Sequence, residues 1–151
     1  MTMKKILKVT ALCAIVFFAF TNASFSQCKS VAKQCLPGLA PYIYTGQLNS
    51  TILYEGESAE LVMTFTAGQE YRILTCTPKY MGTLQFSIYD KDRKLIFSNK
   101  NFNNVAYWDF KVSSTEDYTI QVSVPYTKHA KAGDISASGC VAVLVGFKNE
   151  N

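Results

Sequence analysis

Residues 105–124 read VAYWDFKVSSTEDYTIQVSV, and this stretch decides the fold. Apolar and polar side chains alternate at its start and again at its end, on either side of a polar segment, residues 113–117. Alternation with a period of two places every second side chain on the same face of a β-strand. The stretch therefore predicts two strands joined by a turn, each with one face toward a core that includes Trp108 and Ile120.

The same pattern continues on both sides of this stretch. Runs rich in β-branched and aromatic residues, separated by turn residues, predict strands over residues 42–48, 51–54, 59–65, 71–77, 83–89, 94–98, 105–112, 118–124 and 140–147. The last of these runs is apolar on both faces, so we expect a central strand, with small residues packed on its second face, rather than an edge. No helical pattern of ten or more residues interrupts the series. The sequence therefore predicts an all-β, antiparallel, jelly-roll-like β-sandwich of about eight to nine strands.

The amino-terminal 27 residues have the three parts of a signal peptide. Lys4, Lys5 and Lys8 precede an apolar stretch, residues 9–20, and a polar exit rich in small residues follows. About 12 apolar residues are too few to span a bilayer. We expect a cleaved signal (1–27), a short helix and linker (28–38) that Pro37 helps to end, and one sandwich domain (39–151).

Cleavage of this segment would send the chain to the periplasm or outside the cell, with no membrane attachment. An alternative is that Cys28 carries a lipid, as the first residue of a bacterial lipoprotein does, although Gln27 before it is unlike such sites. Without the three leader lysines, 12 basic side chains stand against 11 acidic ones. This balance excludes a polybasic nucleic-acid-binding protein.

Four cysteines follow the predicted leader: Cys28, Cys35, Cys76 and Cys140. An even number in an exported chain predicts two disulfides. In a continuous helix Cys28 and Cys35 would lie about 10 Å apart, too far to bond to each other. Cys76 and Cys140 both lie beside strand-like runs, so we favour a Cys76–Cys140 pair. A zinc site is the alternative, but no Cys-x-x-Cys pair is present.

Several short segments between residues 46 and 124 resemble the bacterial pre-peptidase C-terminal domains, which are small jelly-roll-like sandwiches of secreted enzymes. They are Gly46-Gln47-Leu48, FTAGQEYRI from Phe65, FSIYD from Phe86 and DYTIQV from Asp117. The resemblance implies a non-catalytic accessory fold, in some members binding polysaccharide or calcium. This chain departs from the family in its four cysteines and in having no peptidase attached. The leader exit SFSQ is similar to signal peptides of Bacteroidetes-type bacteria.

The sequence shows no arrangement typical of an active site, so we predict no catalytic residue, no metal and no cofactor. His129 is the only histidine, and a hydrolase that uses it is the least favoured function. Asp90 and Asp92 could supply oxygens to calcium, but Arg93 follows them directly and a plain hairpin turn is favoured.

Aromatic side chains are the best candidates for binding a ligand. Exposed tyrosine rings suit stacking on sugars or on apolar peptide segments. The candidate ligand surface consists of Tyr80, Tyr107, Tyr126, Lys128 and His129. We therefore predict an exported, non-catalytic module that binds an unknown protein or polysaccharide, with carbohydrate binding through exposed aromatics as the alternative.

Overall fold

A computed structural model describes residues 23–126 and 137–148. Nine antiparallel strands form two packed sheets, which confirms the predicted sandwich. Each strand falls within or beside one predicted run: β1 Ile43–Tyr44, β2 Asn49–Tyr54, β3 Ser58–Phe65, β4 Glu70–Cys76, β5 Gln85–Tyr89, β6 Leu95–Ser98, β7 Tyr107–Lys111, β8 Glu116–Ser123 and β9 Ser138–Lys148. Within these residues, no helix is both long enough and apolar enough to cross a bilayer.

The strand order is that of a jelly roll. One sheet has the order β2-β9-β4-β7, with β1 pairing the end of β9 beyond β2, and the other has the order β3-β8-β5-β6. Strands β2 and β3 are therefore the edges on one side of the sandwich. Strands β6 and β7 are the edges on the opposite side.

The core lies between the two sheets and is built from the faces that alternation predicts. Phe86, Ile88 and Ile120 are fully buried there, and Leu84 and Val122 are nearly so. The face of β7 is the exception, because its large rings are only partly buried. Strand β7 is an edge, so its side chains lie at the rim of the core.

Strand β9 is central, as its two apolar faces predict, since it pairs with β2 on one side and with β4 on the other. Its second face is covered by more than small residues. Helix α1, Ala23–Cys35, and the 3-10 helix Leu36–Leu39 pack on it. The small second core under them consists of Ala32, Leu39, Leu74, Cys76, Ala142 and Leu144.

Two disulfides join helix α1 to this sheet, but they are not the pair that we favoured. Cys28 bonds to Cys140 and Cys35 bonds to Cys76, with Cα–Cα distances of 5.2 and 6.3 Å. The expectation that Cys28 and Cys35 do not bond to each other is confirmed.

The favoured Cys76–Cys140 pair is wrong, and the sheet register explains why. Cys76 lies opposite Ala142, so Cys140 is its diagonal neighbour on the same face. Diagonal positions on paired strands are about 7–8 Å apart, beyond the usual Cα–Cα range of a disulfide. Both cysteines instead face the helix. The disulfides also rule out a four-cysteine zinc site, and they leave no free Cys28 sulfur for a lipid.

Candidate functional site

Three exposed tyrosines lie at one end of the sandwich, where β2 ends and β9 begins. We call Tyr54, Tyr80 and Tyr126 the aromatic end. Their exposed fractions are 51%, 66% and 73%, the highest among the tyrosines of the described residues. The rings of Tyr80 and Tyr126 are nevertheless each held by a specific contact.

Tyr80 lies in the 3-10 helix Lys79–Met81, which crosses the start of β9. Its hydroxyl donates a hydrogen bond to the Ser138 carbonyl at 3.2 Å. The neighbouring Met81 is 3% exposed and anchors the segment in the core. A Cβ at Gly139 would come within 2.9 Å of the Tyr80 hydroxyl oxygen, so glycine is needed for this close approach.

Tyr126 follows β8, and its ring packs against Gly56 in the turn between β2 and β3. Gly56 in that turn has a φ of +84°, which favours glycine, and a Cβ there would overlap the Tyr126 ring. The turn is bonded to both neighbouring segments. The Gly56 N–H donates to the Val124 carbonyl at 2.7 Å, and the Glu55 N–H donates to the Ala137 carbonyl at 3.1 Å.

Tyr54 is the last residue of β2 and lies opposite Ser138 in the ladder with β9. The same residue, Ser138, accepts the hydrogen bond of Tyr80, so two of the three rings are adjacent to it. The Glu57 carboxylate accepts the Tyr54 backbone N–H at 2.9 Å and lies exposed beside the rings. The aromatic end thus combines flat ring faces with a carboxylate and hydroxyl groups.

Only two of the five predicted ligand-surface residues, Tyr80 and Tyr126, come together here. Tyr107 lies opposite Leu74, which lies opposite Leu144 on β9. That position is six residues along β9 from Ser138, or about 20 Å at the rise of a strand. Lys128 and His129 lie outside the described residues.

The environment of Tyr107 points to a packing role. The Arg72 guanidinium lies over the Tyr107 ring at 4.4 Å and over the Tyr42 ring at 4.8 Å. Arg72 also forms a two-bond ion pair with Asp109 and donates to the carbonyls of Gly38 and Ala40, at 3.0 and 2.8 Å. The Asp109 carboxylate raises the pKa of Arg72 through hydrogen bonds. The cluster fastens the segment after helix α1 to the sheet.

The Asp90–Arg93 turn is a hairpin turn, as favoured. One Asp90 carboxylate oxygen accepts the backbone N–H groups of Asp92 and Lys94, both at 2.9 Å. Asp92 pairs with Lys91. Residues 23–126 and 137–148 contain no group of three or more His, Cys, Asp or Glu placed to hold a metal ion.

A cleft of about 440 Å³ opens between the edge strands β2 and β3. Val141 and Val143 of β9, with Ile120 and Val122 of β8, form its apolar floor. Its mouth is lined by Leu48, Asn49, Ser50, Thr51, Ala59, Glu60 and Leu61. The volume lies within the usual range of ligand pockets, about 300–1,000 Å³. The sequence pattern did not predict this cleft.

Comparisons with known proteins add a distant structural likeness. No protein-family model matches the chain, and no curated protein sequence matches it. Among solved structures, it is similar to PliG of Aeromonas hydrophila, a periplasmic lysozyme inhibitor of g-type lysozyme. The identity is 13% and the TM-score is 0.48, over 72% of this chain and 89% of that chain. A likeness at this level is too low to transfer a function.

Proposed function

We propose that the chain is an exported, non-catalytic binding module that binds its partner at the aromatic end. One observation carries the proposal: three tyrosine side chains at one end are more than half exposed, and the rings of Tyr80 and Tyr126 are held in place by side-chain contacts. A ring that only stabilised the fold would be expected to bury most of its surface, as Tyr71 does at 9% exposure.

Fixed rings are well suited to binding because they lose little entropy when a partner covers them. A tyrosine contributes a large contact area with few rotatable bonds, and a ring already held in place loses even less conformational entropy on binding. Partners of tyrosine-rich surfaces are proteins or sugars. The same end also presents the Glu57 carboxylate to a partner's hydroxyl or amide groups.

Export to the periplasm or beyond is the second part of the proposal. Two disulfides in a small chain support an oxidising compartment, because cytosolic thiols are kept reduced. The predicted leader, residues 1–27, supplies the route. The relationship to pre-peptidase C-terminal domains stays a prediction.

Polysaccharide binding is the more specific candidate. Exposed ring faces can stack on the C–H face of a sugar while neighbouring acceptors bind its hydroxyl groups. Three rings on one end, with the Glu57 carboxylate beside them, offer both kinds of contact. A protein partner would use the same rings as anchors in apolar pockets.

Affinity electrophoresis in gels that contain xylan, laminarin or hydroxyethyl cellulose tests the sugar candidate. We expect retardation of the native protein, and loss of about tenfold or more in affinity for Tyr80→Ala and for Tyr126→Ala. Tyr107→Ala, on another surface, is the matched control and should be retarded like the native protein. Equal mobility with and without each polysaccharide would rule out binding to those sugars.

The wider proposal is tested with labelled protein and the cell-envelope fraction of the producing bacterium. We expect saturable binding that the Tyr80→Ala, Tyr126→Ala double variant loses and Tyr107→Ala keeps. Equal binding by all three proteins would contradict a role for the aromatic end.

A further inference from the structure

Helix α1 meets the sheet beside a second cavity, which lies away from the aromatic end. The cavity has a volume of about 250 Å³ and adjoins the small second core under the helix. Leu144, which lines it, lies six residues along β9 from Ser138, or about 20 Å at the rise of a strand. One wall is a single stripe with the i, i+3, i+4, i+7 spacing of a helix: Lys29, Ala32, Lys33 and Leu36.

The interior of the cavity is apolar. Ala32 and Leu144 are buried and form its floor, and the half-buried Leu36 and Leu48 form its sides. At about 30 Å³ for each water-sized group, the cavity holds on the order of eight such groups. It lies below the usual size range of ligand pockets, about 300–1,000 Å³. A cavity of this size and polarity therefore fits a short alkyl chain better than a sugar ring or a peptide segment.

The rim of the cavity is cationic. Lys29 and Lys33 are exposed and lie one helical turn apart on the same face, at about 5–6 Å between Cβ atoms. Neither ammonium group forms an ion pair or a hydrogen bond with any residue of 23–126 or 137–148. Residues 23–54 contain no Asp or Glu, and no carboxylate lines the cavity. Two like charges at this spacing repel each other, so an anion bound between them would relieve a repulsion that the described residues leave in place.

Tyr44 of β1 adds a hydroxyl group to the lining. Its side chain is half-buried, and burial raises the pKa of the hydroxyl above its ordinary value, so the group stays a neutral donor near pH 7. Within the described ranges this hydroxyl has no hydrogen-bond partner. The polar side chains around the cavity are thus two ammonium groups and a phenol, all of which donate hydrogen bonds to an anion.

We propose that this cavity binds a medium-chain fatty carboxylate, with the alkyl tail inside and the carboxylate at Lys29 and Lys33. The apolar interior matches the tail, and the two unpaired ammonium groups match the head. The volume limits the tail to about eight carbon atoms, since a methylene group is similar in size to a water molecule. A neutral amphiphile would leave the ammonium groups without a counter-charge, and a cationic one would add to their repulsion.

Titration of the disulfide-bonded mature protein with octanoate, followed by two-dimensional NMR of the backbone amides, tests the site. We expect a dissociation constant on the order of 0.1–1 mM, which is typical for a ligand of about ten non-hydrogen atoms. The amide signals of Lys29, Lys33 and Leu144 should shift together. The signals of Tyr80 and Tyr126 should stay in place, because the aromatic end is a different surface.

Related ligands separate the contribution of the tail from that of the head. From butanoate to octanoate, each added methylene should tighten binding about threefold to fourfold, because it enters the apolar interior. Octanol and octylammonium, which keep the tail and lack the negative charge, should bind at least about tenfold more weakly than octanoate. Octyl phosphate serves as a second anion, and tighter binding of it than of octanoate by about tenfold or more would overturn the choice of a carboxylate.

Matched variants locate the head of the ligand. Lys29→Gln combined with Lys33→Gln should weaken octanoate binding at least about tenfold and remove the preference for octanoate over octanol. Lys94→Gln combined with Lys100→Gln makes the same change in net charge at exposed positions on the β6 side of the sandwich, and it should bind octanoate like the native protein. Equal binding by both double variants would overturn the role of the helix lysines.

A variant of the apolar wall locates the tail. Leu48→Gln should weaken octanoate binding at least about fivefold, whereas Leu95→Gln, on the exposed part of β6, should not. Native circular dichroism and intact disulfides in each variant guard against misfolding. No shift of the cavity amides at 10 mM octanoate, on the order of ten times the weakest expected dissociation constant, or equal binding of octanol, would overturn the proposal. Tyr80→Ala should bind octanoate normally, so failure here leaves the aromatic end untouched.

Discussion

Removing the Cys28–Cys140 disulfide should destabilise the protein more than any surface substitution. The bond closes a loop with a sequence separation of 112 residues. In the chain-entropy treatment, a disulfide that closes a loop of this length reduces the entropy of the unfolded chain. This raises the free energy of the unfolded state, and so stabilises the folded protein, by about 4.8 kcal/mol at 25 °C. Replacing both cysteines by alanine should therefore lower the free energy of unfolding by up to that amount, within the observed range of about 2–5 kcal/mol.

The Cys35–Cys76 disulfide serves as the internal comparison. Its separation of 41 residues gives about 3.9 kcal/mol in the same treatment. Both bonds fasten helix α1 to the same sheet, so loss of either should also loosen the packing of Ala32 and Leu144 beneath it.

Urea unfolding followed by tryptophan fluorescence is the assay. Trp108 is the only tryptophan, and it stacks on Phe97 and Phe110 at 4.7 and 4.4 Å, so its emission reports the core rim. Mass mapping of a non-reduced digest identifies the pairing independently. A loss below about 1 kcal/mol for the Cys28–Cys140 pair, or a peptide that joins Cys76 to Cys140, would refute the reasoning.

Three further predictions concern single side chains. Gly56→Ala should lower the free energy of unfolding by about 1–2 kcal/mol because of its positive φ, and it should also displace the Tyr126 ring. Gly46→Ala is the control: Gly46 has a φ of +85° and nothing within 4 Å, so only the backbone strain should destabilise this variant. Thermal unfolding measures the strain in both variants, and tyrosine accessibility detects displacement of the ring in Gly56→Ala alone. Asn99→Ala should cost about 3 kcal/mol in urea unfolding, because two buried backbone groups and one partly buried carbonyl lose their partner. A loss below about 1 kcal/mol would contradict this. Burial and the hydrogen bond to a neighbouring glutamate raise the pKa of Tyr118 to about 12. The stability that this group contributes is fully present below about pH 10 and should fall as the pH rises to about 12. The Tyr118→Phe variant should lose less stability over that range than the native protein, and an equal loss in both would argue against the raised pKa.

The strands and their inward faces are predictable from the sequence because alternation is a local property. Phe86, Ile88 and Ile120 are buried as the period of two requires. The apolar second face of β9 also indicated a central strand correctly. Each of these inferences needs only neighbouring residues in one run.

The helix cover and the disulfide pairing depend on distant parts of the chain. A signal for them was present, since Cys28, Ala32 and Cys35 have the i, i+4, i+7 spacing of one helix stripe. That stripe matches the apolar second face of β9, which carries Cys140. Strand runs alone favoured a Cys76–Cys140 pair because they did not show how the helix crosses the sheet.

The candidate site was only partly predictable for the same reason. Loop positions indicated Tyr80 and Tyr126, but Tyr54 is the last residue of a predicted strand, so its position did not indicate an exposed ring. Tyr107 appeared suitable because it faces away from the core, yet Arg72 lies against its ring. The cleft depends on the separation of two edge strands, which no run of sequence encodes.

Hydroxyl-radical footprinting of the protein bound to the cell envelope of the producing bacterium tests the central claim most directly. Side-chain oxidation is measured by mass spectrometry for each tyrosine, with and without the envelope fraction. We expect protection of Tyr54, Tyr80 and Tyr126, with Tyr107 oxidised as in the free protein. Unchanged oxidation at all three, or protection at Tyr107 alone, would contradict it.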